Sequence, residues 1–458
     1  MLSDLQKRDL KYIFHPCSQM KDYEKFPPIV ITKGEGLYVY DEFGKKYMDC
    51  VGSWWLNPLG HCNPRINKVI NEQINTIEHI IFANFSHKPA IELSEELIKL
   101  VPEGLTKLFF ADNGSSGVEI ALKLALQSQH QRGYTKKHKL VTIKNSYHGE
   151  TIGALAVGDI DFFTQKYKPL IKEAIKVQGP DCFNCPFKKN YDNCEAECFC
   201  EMEKVLTENN EEIVATIIEP IVQGAGGMKI YSPIYMKKLR ELTKKLNITM
   251  IVDEIAMGFG RTGKMFASEW AGISPDIMCV GKALTAGYYP MSIVLMTEEI
   301  FQSFYSEYLE GKSFLHSHSF SGNPIGCRIA LEVLKIFREE NLLEKINAKG
   351  DYLKKKALEI FKDKDYIGEI RQIGLMGALE IVKDKNTKER YASKERVGYE
   401  IYKIALKNGA ILRPLGDTMY FMPPYIITYE EIDKMLEICK KSIEEYLSLR
   451  NSDENGNK

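Results

Sequence analysis

Between about residues 105 and 300, short apolar runs of β character alternate with amphipathic helical patterns, and this alternation restricts the fold more than any other feature of the chain. Strand candidates fall at 107–111, 139–143, 213–218, 248–252, 277–280 and 292–296, with helices such as 117–129 and 234–246 between several of them. Parallel strands need long crossovers, and helical crossovers cover both sheet faces. The pattern therefore predicts an α/β architecture with a mostly parallel central sheet.

At 458 residues the chain exceeds what one core usually fills. The N-terminal part carries short strand patterns at 36–41 and 46–49 around the turn Glu42-Phe43-Gly44-Lys45, a small hairpin element. The C-terminal part begins with a helix at 325–338 and passes through apolar stretches at 370–381, 411–414 and 419–422 before a final helix from Tyr429. The expected division is a small α+β domain built from both termini, 1–75 and 330–458, around a large domain at 76–329. The polar tail at 450–458 is expected to fray.

With 61 basic and 62 acidic residues, net charge is near zero, which disfavours a nucleic-acid or membrane-surface partner and leaves small molecules as the expected partners. No run approaches the roughly 18 apolar residues of a membrane span, and the start lacks a signal-peptide core, so a cytoplasmic location is expected. Of eleven cysteines, Cys17, Cys50, Cys62, Cys279, Cys327 and Cys439 are scattered in the manner of reduced thiols rather than a disulfide framework. The other five lie in an insertion at 179–200.

The chemistry-bearing residues cluster after the predicted strands, where open α/β sheets bind ligands. Lys282 follows one strand and Asp253 ends another. A lysine amine can form a Schiff base with an aldehyde cofactor, and a buried aspartate can keep a pyridine nitrogen protonated. Gly114 and Ser115 open a helix after a strand, where backbone N–H groups can hold a phosphate; an ordinary N-cap is the structural alternative. Tyr147, before His148 and Gly149, is a candidate stacking ring. Glu219 could meet a substrate charge or form a structural ion pair. The glycine-rich stretch after Asp253 lacks the Lys-Ser/Thr ending of a P-loop, which disfavours nucleotides. Ser317, His318 and Ser319 offer donors for a phosphate from a neighbouring subunit.

Together with Ser53-Trp54-Trp55, the run Tyr147 to Thr151, the run Glu219 to Gly227, Arg413-Pro414 and the run Tyr420 to Tyr425, these segments make the chain resemble the fold-type I, class III pyridoxal-phosphate aminotransferases over nearly its whole length. The resemblance narrows to the branch acting in biotin biosynthesis. It implies pyridoxal 5'-phosphate carried by Lys282, with Asp253 at the ring nitrogen, Tyr147 against the ring, and Gly114, Ser115, His318 and Ser319 at the phosphate. It also implies a homodimer with active sites at the interface. The implied reaction converts 8-amino-7-oxononanoate, an apolar chain ending in a carboxylate, to 7,8-diaminononanoate. Trp54 would line the chain's channel and Arg413 would pair bidentately with the carboxylate, a core aromatic and a structural ion pair being their respective alternatives.

Departures from the family pattern bear on the amino donor. Many members have tyrosine at Cys17 and Gly-Pro-Thr at Ser317-His318-Ser319, and Leu415 replaces a usual phenylalanine. S-adenosylmethionine is the expected donor, with lysine as the alternative; another class III ω-aminotransferase activity is the alternative reaction. The cysteine group Cys182, Cys185, Cys194, Cys198 and Cys200 is outside the usual pattern, and its spacing raises the expectation of Zn²⁺ or an iron–sulfur cluster, with plain surface thiols as the alternative.

Overall fold

The structure, a computed structural model, describes residues 2–189, 191 and 193–456, with side chains to Ser452. Near the N-terminus, Ile31–Glu35 (β1), Tyr38–Asp41 (β2) and Lys46–Asp49 (β3) form an antiparallel meander. The alternating region supplies Leu105–Ala111 (β4), Lys139–Ile143 (β5), Ile175–Val177 (β6), Ile213–Ile218 (β7), the short pair Val222–Gln223 (β8) and Lys229–Ile230 (β9), then Thr249–Asp253 (β10), Ile277–Val280 (β11) and Ser292–Thr297 (β12). The last third adds Ile367–Ile373 (β13), Met376–Ile381 (β14), Ala410–Ile411 (β15) and Thr418–Phe421 (β16). Five helices matter below: Gly114–Gln131 (α1), Pro233–Lys245 (α2), Pro324–Glu339 (α3), Leu342–Phe361 (α4) and Tyr429–Gly456 (α5).

The central sheet has seven strands in the order β4-β12-β11-β10-β7-β5-β6. β12 pairs antiparallel with both neighbours, and the rest run parallel. Every residue of β7, β10 and β11 is buried, as a sheet covered on both faces requires. Asn113 caps α1 by accepting the Ser116 N–H at 3.0 Å, and the helix lies close against the sheet because a side chain at Gly117 would meet Ser292 Oγ at 2.8 Å.

Both termini contribute to the smaller sheets. β15 pairs in parallel with β3, so the C-terminal part completes the N-terminal meander, while β13, β14 and β16 form a separate antiparallel sheet. The apolar stretch at 370–381 breaks into β13 and β14 at Gly374, whose φ of +53° lets the chain reverse. Four strands lacked a sequence signal: β1 is largely exposed and shows no apolar alternation, β6 has three residues, and β8 and β9 have two each. The polar tail continues α5 to Gly456; Asn457 and Lys458 lie outside the described residues. No helix among the described residues is long and apolar enough to cross a membrane.

Candidate active site

Five strands of the central sheet deliver their carboxyl ends to one cavity of about 360 Å³, whose walls include Gly114, Tyr147, His148, Glu219, Asp253 and Lys282. β4, β5, β7, β10 and β11 each lead directly into one of these positions. The parallel topology therefore makes the site, since strands of one direction present their carboxyl ends along one edge.

Lys282 follows β11 with a φ of +47°, a left-handed conformation that costs a non-glycine residue about 1–2 kcal/mol. Its Nζ lies 4.6 Å from the centre of the Trp55 ring. Burial pushes the amine down to about 8, against the opposing pull of Asp253 and Glu219 and with a smaller contribution from the Arg261 guanidinium.

Asp253 is held on both carboxylate oxygens: Oδ1 accepts the Ile255 N–H at 3.0 Å, and Oδ2 lies 2.8 Å from His148 Nδ1. The imidazole of His148 is fully enclosed, and its Nε2 has no hydrogen-bond partner among the described residues. The sequence placed Tyr147 here and overlooked His148 as the group that orients Asp253, because nothing in the spacing of 148 and 253 shows that β5 and β10 flank one strand, β7.

The tryptophan pair divides its roles in a way the sequence did not reveal. Gly52, Ser53, Trp54 and Trp55 all have positive φ, forming a left-handed turn. Trp55 points inward, 3% exposed, with its Nε1 donating to Tyr420 Oη at 3.0 Å and its carbonyl accepting from the buried Arg261 at 2.8 Å. Trp54 stays at the surface, where the Arg413 guanidinium stands 4.5 Å from its ring centre. Arg413 also donates to the Cys17 carbonyl at 3.4 Å, Cys17 Sγ lies 3.9 Å from Glu150, and Glu150 accepts from Tyr147 Oη at 2.9 Å. Cys17, Trp54 and Arg413 thus form a rim tied to the cavity through Glu150 and Tyr147. Burial pushes the Cys17 thiol up, and the Glu150 carboxylate adds to this.

Ser317, His318 and Ser319 are not among the residues that line the cavity of their own chain. Ser317 and Ser319 are exposed, and His318 contacts Asp112 at 3.3 Å and His316 at 3.1 Å.

The cysteine insertion departs from the sequence expectation. Cys182, Cys185, Cys194 and Cys198 border one small cavity and Cys200 is exposed, yet among the described residues no group of three or more His, Cys, Asp or Glu side chains is arranged to hold a metal ion. Cys182 and Cys198 pack against an apolar cluster, and burial pushes their thiols up to about 12 and about 11, so they behave as small protonated hydrophobes. The Zn²⁺ or iron–sulfur expectation therefore finds no support among the described residues. Other contacts anchor the insertion: Asp181 pairs with Lys229 at 2.7 Å, and Phe183, 5% exposed, lies under Lys388 and Arg390.

The main cavity suits pyridoxal phosphate. It sets an amine of lowered basicity near an anchored carboxylate, has an aromatic ring at Trp55, and ends at the N-terminus of α1, whose backbone N–H groups favour an anion.

The family model for class III aminotransferases matches residues 19–443. An adenosylmethionine-8-amino-7-oxononanoate aminotransferase from Geobacter sulfurreducens is 40% identical over 440 residues, covering 96% of this chain and 97% of that relative. The Helicobacter pylori protein of the same name is 42% identical, over 94% of this chain and 95% of its own. Among solved structures, the enzyme of that name from Methanocaldococcus jannaschii superposes with a TM-score of 0.90 at 35% identity, covering 96% of this chain and 98% of its own. The Pseudomonas jessenii omega transaminase in complex with PMP superposes at 0.92 and 31% identity, covering 98% and 99%.

Proposed function

The chain belongs to the class III aminotransferases, a family that uses pyridoxal phosphate, and from that premise we propose that it converts 8-amino-7-oxononanoate to 7,8-diaminononanoate in biotin biosynthesis. The observation that carries this reading is the joining of an amine–carboxylate pair inside the cavity to a guanidinium–indole pair outside it, through the contacts of Cys17, Glu150 and Tyr147. Arg413 offers a planar fork to the substrate's terminal carboxylate, and the Trp54 face lies along the path of its apolar chain. When bound, pyridoxal phosphate supplies a ring that accepts electrons from the substrate carbon.

The residues around it divide the remaining work. Lys282 would hold the cofactor through its Nζ, and the same amine would move a proton at the substrate carbon; an amine held near 8 is neutral enough for this in mildly basic solution. Asp253, oriented by His148, keeps a proton on the ring nitrogen. Tyr147 covers the ring, while Gly114 and Ser115 at the N-terminus of α1 hold the phosphate. Cys17 faces the amino donor together with Ser317 supplied by a second copy of this chain, and we take that donor to be S-adenosylmethionine.

The protein on this reading works in the cytoplasm as a homodimer. Tyr305, Tyr308, Leu309, Leu315 and Phe320, each more than half exposed, flank Ser317, His318 and Ser319, and a second copy covering them brings His318 and Ser319 to its own phosphate. We take 1–75 and 330–458 as a small domain around a large one at 76–329, a division that the pairing of β15 with β3 supports.

The test is a single-turnover assay of 8-amino-7-oxononanoate amination with S-adenosylmethionine and lysine as rival donors. Product with the first supports the reading, and product with lysine alone changes the donor. No product with either moves the assignment to an ω-amino-acid substrate, a reading favoured by the likeness to the Pseudomonas jessenii omega transaminase.

A further inference from the structure

Glu219 is a buried carboxylate that none of these steps uses. It follows β7 and is 4% exposed. Oε2 accepts the Tyr147 N–H at 3.0 Å and Oε1 accepts the Gly224 N–H at 2.9 Å, while its backbone carbonyl accepts Tyr231 Oη at 2.5 Å. The titratable groups that act on it include His148, whose Nδ1 faces Asp253, Asp253 itself and the Lys282 amine. A buried carboxylate without a cationic hydrogen-bond donor is costly, and burial pushes this one up to about 7.

The two amides it holds belong to different segments around the cavity. Tyr147 is the ring wall after β5. Gly224 begins the turn behind the indole: a side chain there would meet Trp55 at 3.1 Å and Met257 at 3.0 Å. One carboxylate therefore links the loop carrying Tyr147 to the turn backing Trp55, the ring beside Lys282. Each of its oxygens is engaged by a backbone donor from a different segment, so the carboxylate is held in place by the loop and the turn it joins.

Resting on the aminotransferase reading, we propose that Glu219 is a positioning residue whose carboxylate fixes the separation of the Tyr147 and Trp55 walls across the cofactor cavity and does not itself bind substrate. Glu219→Gln keeps the shape but turns an amide toward one of the two N–H groups, losing that bond. Glu219→Asp keeps both charge and acceptors, one methylene short.

The experiment uses holoenzyme and reads visible-region circular dichroism of the bound cofactor together with half-reaction kinetics. Glu219→Gln is expected to retain cofactor, to lose about half or more of the dichroic signal, and to slow the half-reaction by about 10–100-fold while KM moves by less than about threefold, with Glu219→Asp in between. Wild-type dichroism and rates in Glu219→Gln overturn the proposal, as does a raised KM with unchanged kcat, the signature of a substrate ligand. If the variants do not fold, amide exchange in wild-type holoenzyme decides. The Tyr147 and Gly224 amides are expected to be slowed by about 100-fold or more relative to unbonded loop amides, and free exchange at either overturns the tether. Wild-type protein that takes up no pyridoxal phosphate would instead count against the aminotransferase reading, which is separate from these outcomes.

Discussion

The Lys282 amine faces the indole of Trp55, 4.6 Å from its centre, whereas the neighbouring indole of Trp54 faces the Arg413 guanidinium. Truncating the two tryptophans should accordingly have different effects. Trp55→Ala empties a fully packed position and removes the bond to Tyr420, so about 3–5 kcal/mol of stability should be lost in chemical denaturation. Trp54→Ala, at a 42% exposed position, should leave stability within about 0.5 kcal/mol and raise the KM for the keto acid.

That division marks where the sequence stopped being informative. Periodicity located β5, β7 and β11 to the residue, because strands buried on both faces read as unbroken apolar runs. It also brought Lys282, Asp253, Tyr147, Gly114 and Ser115 to the right strand ends. It could not reveal that four consecutive residues from Gly52 turn left-handed, since neither a 3.6-residue nor a two-residue period describes such a turn. For the same reason the partners of His148 and Glu219, more than 70 positions away or across a turn, became legible only from the strand order. The cysteine spacing suggested a metal, but spacing carries no distance between side chains, and among the described residues no such group is arranged to hold one, while Cys182 and Cys198 pack against an apolar cluster.

The pH dependence of the cofactor-free protein should carry the signature of Lys282. Its amine falls to about 8 in the folded chain from an ordinary 10.5, so between those values the unfolded chain holds the extra proton and stability rises with pH. Below about 8 both states are protonated and the cost of the buried charge is constant. Urea denaturation of wild type against Lys282→Met should show wild type gaining up to about 3 kcal/mol relative to the variant between pH 8 and 10.5. Parallel curves would place the amine in a far wetter setting.

Asp253→Asn separates carrying the cofactor from activating it. Lys282 is untouched, so borohydride should still trap the cofactor link. The variant loses the negative charge that His148 orients, and kcat should fall on the order of a thousandfold, about 4 kcal/mol of transition-state stabilisation. A fall below about tenfold in a single-turnover assay would move the ring-nitrogen role elsewhere.

Arg413→Lys tests the carboxylate clamp. Lysine keeps the charge but has neither the planar fork nor the flat face that lies over Trp54. KM for 8-amino-7-oxononanoate should rise by about 10–100-fold with kcat within about threefold, and the first half-reaction with the amino donor should be affected less. Equal losses with both substrates would make Arg413 a structural support for the Cys17 segment, to whose carbonyl it already donates.

The cysteine insertion should depend on Phe183 more than on its thiols. Phe183 is 5% exposed, lies under Lys388 and Arg390, and packs so tightly that a side chain at Gly368 on β13 would meet its ring at 3.1 Å. Lys388 also donates to its carbonyl, so one residue joins the insertion to the C-terminal sheet from two directions. Phe183→Ala should therefore cost about 3–5 kcal/mol locally, and limited proteolysis should cut the 184–189 stretch at least about tenfold faster. Cys182→Ala removes one small group from an apolar cluster without breaking that link, so its cleavage rate should stay near wild type. The opposite ranking, with Cys182→Ala loosening the loop more than Phe183→Ala, would return the anchoring role to the thiols.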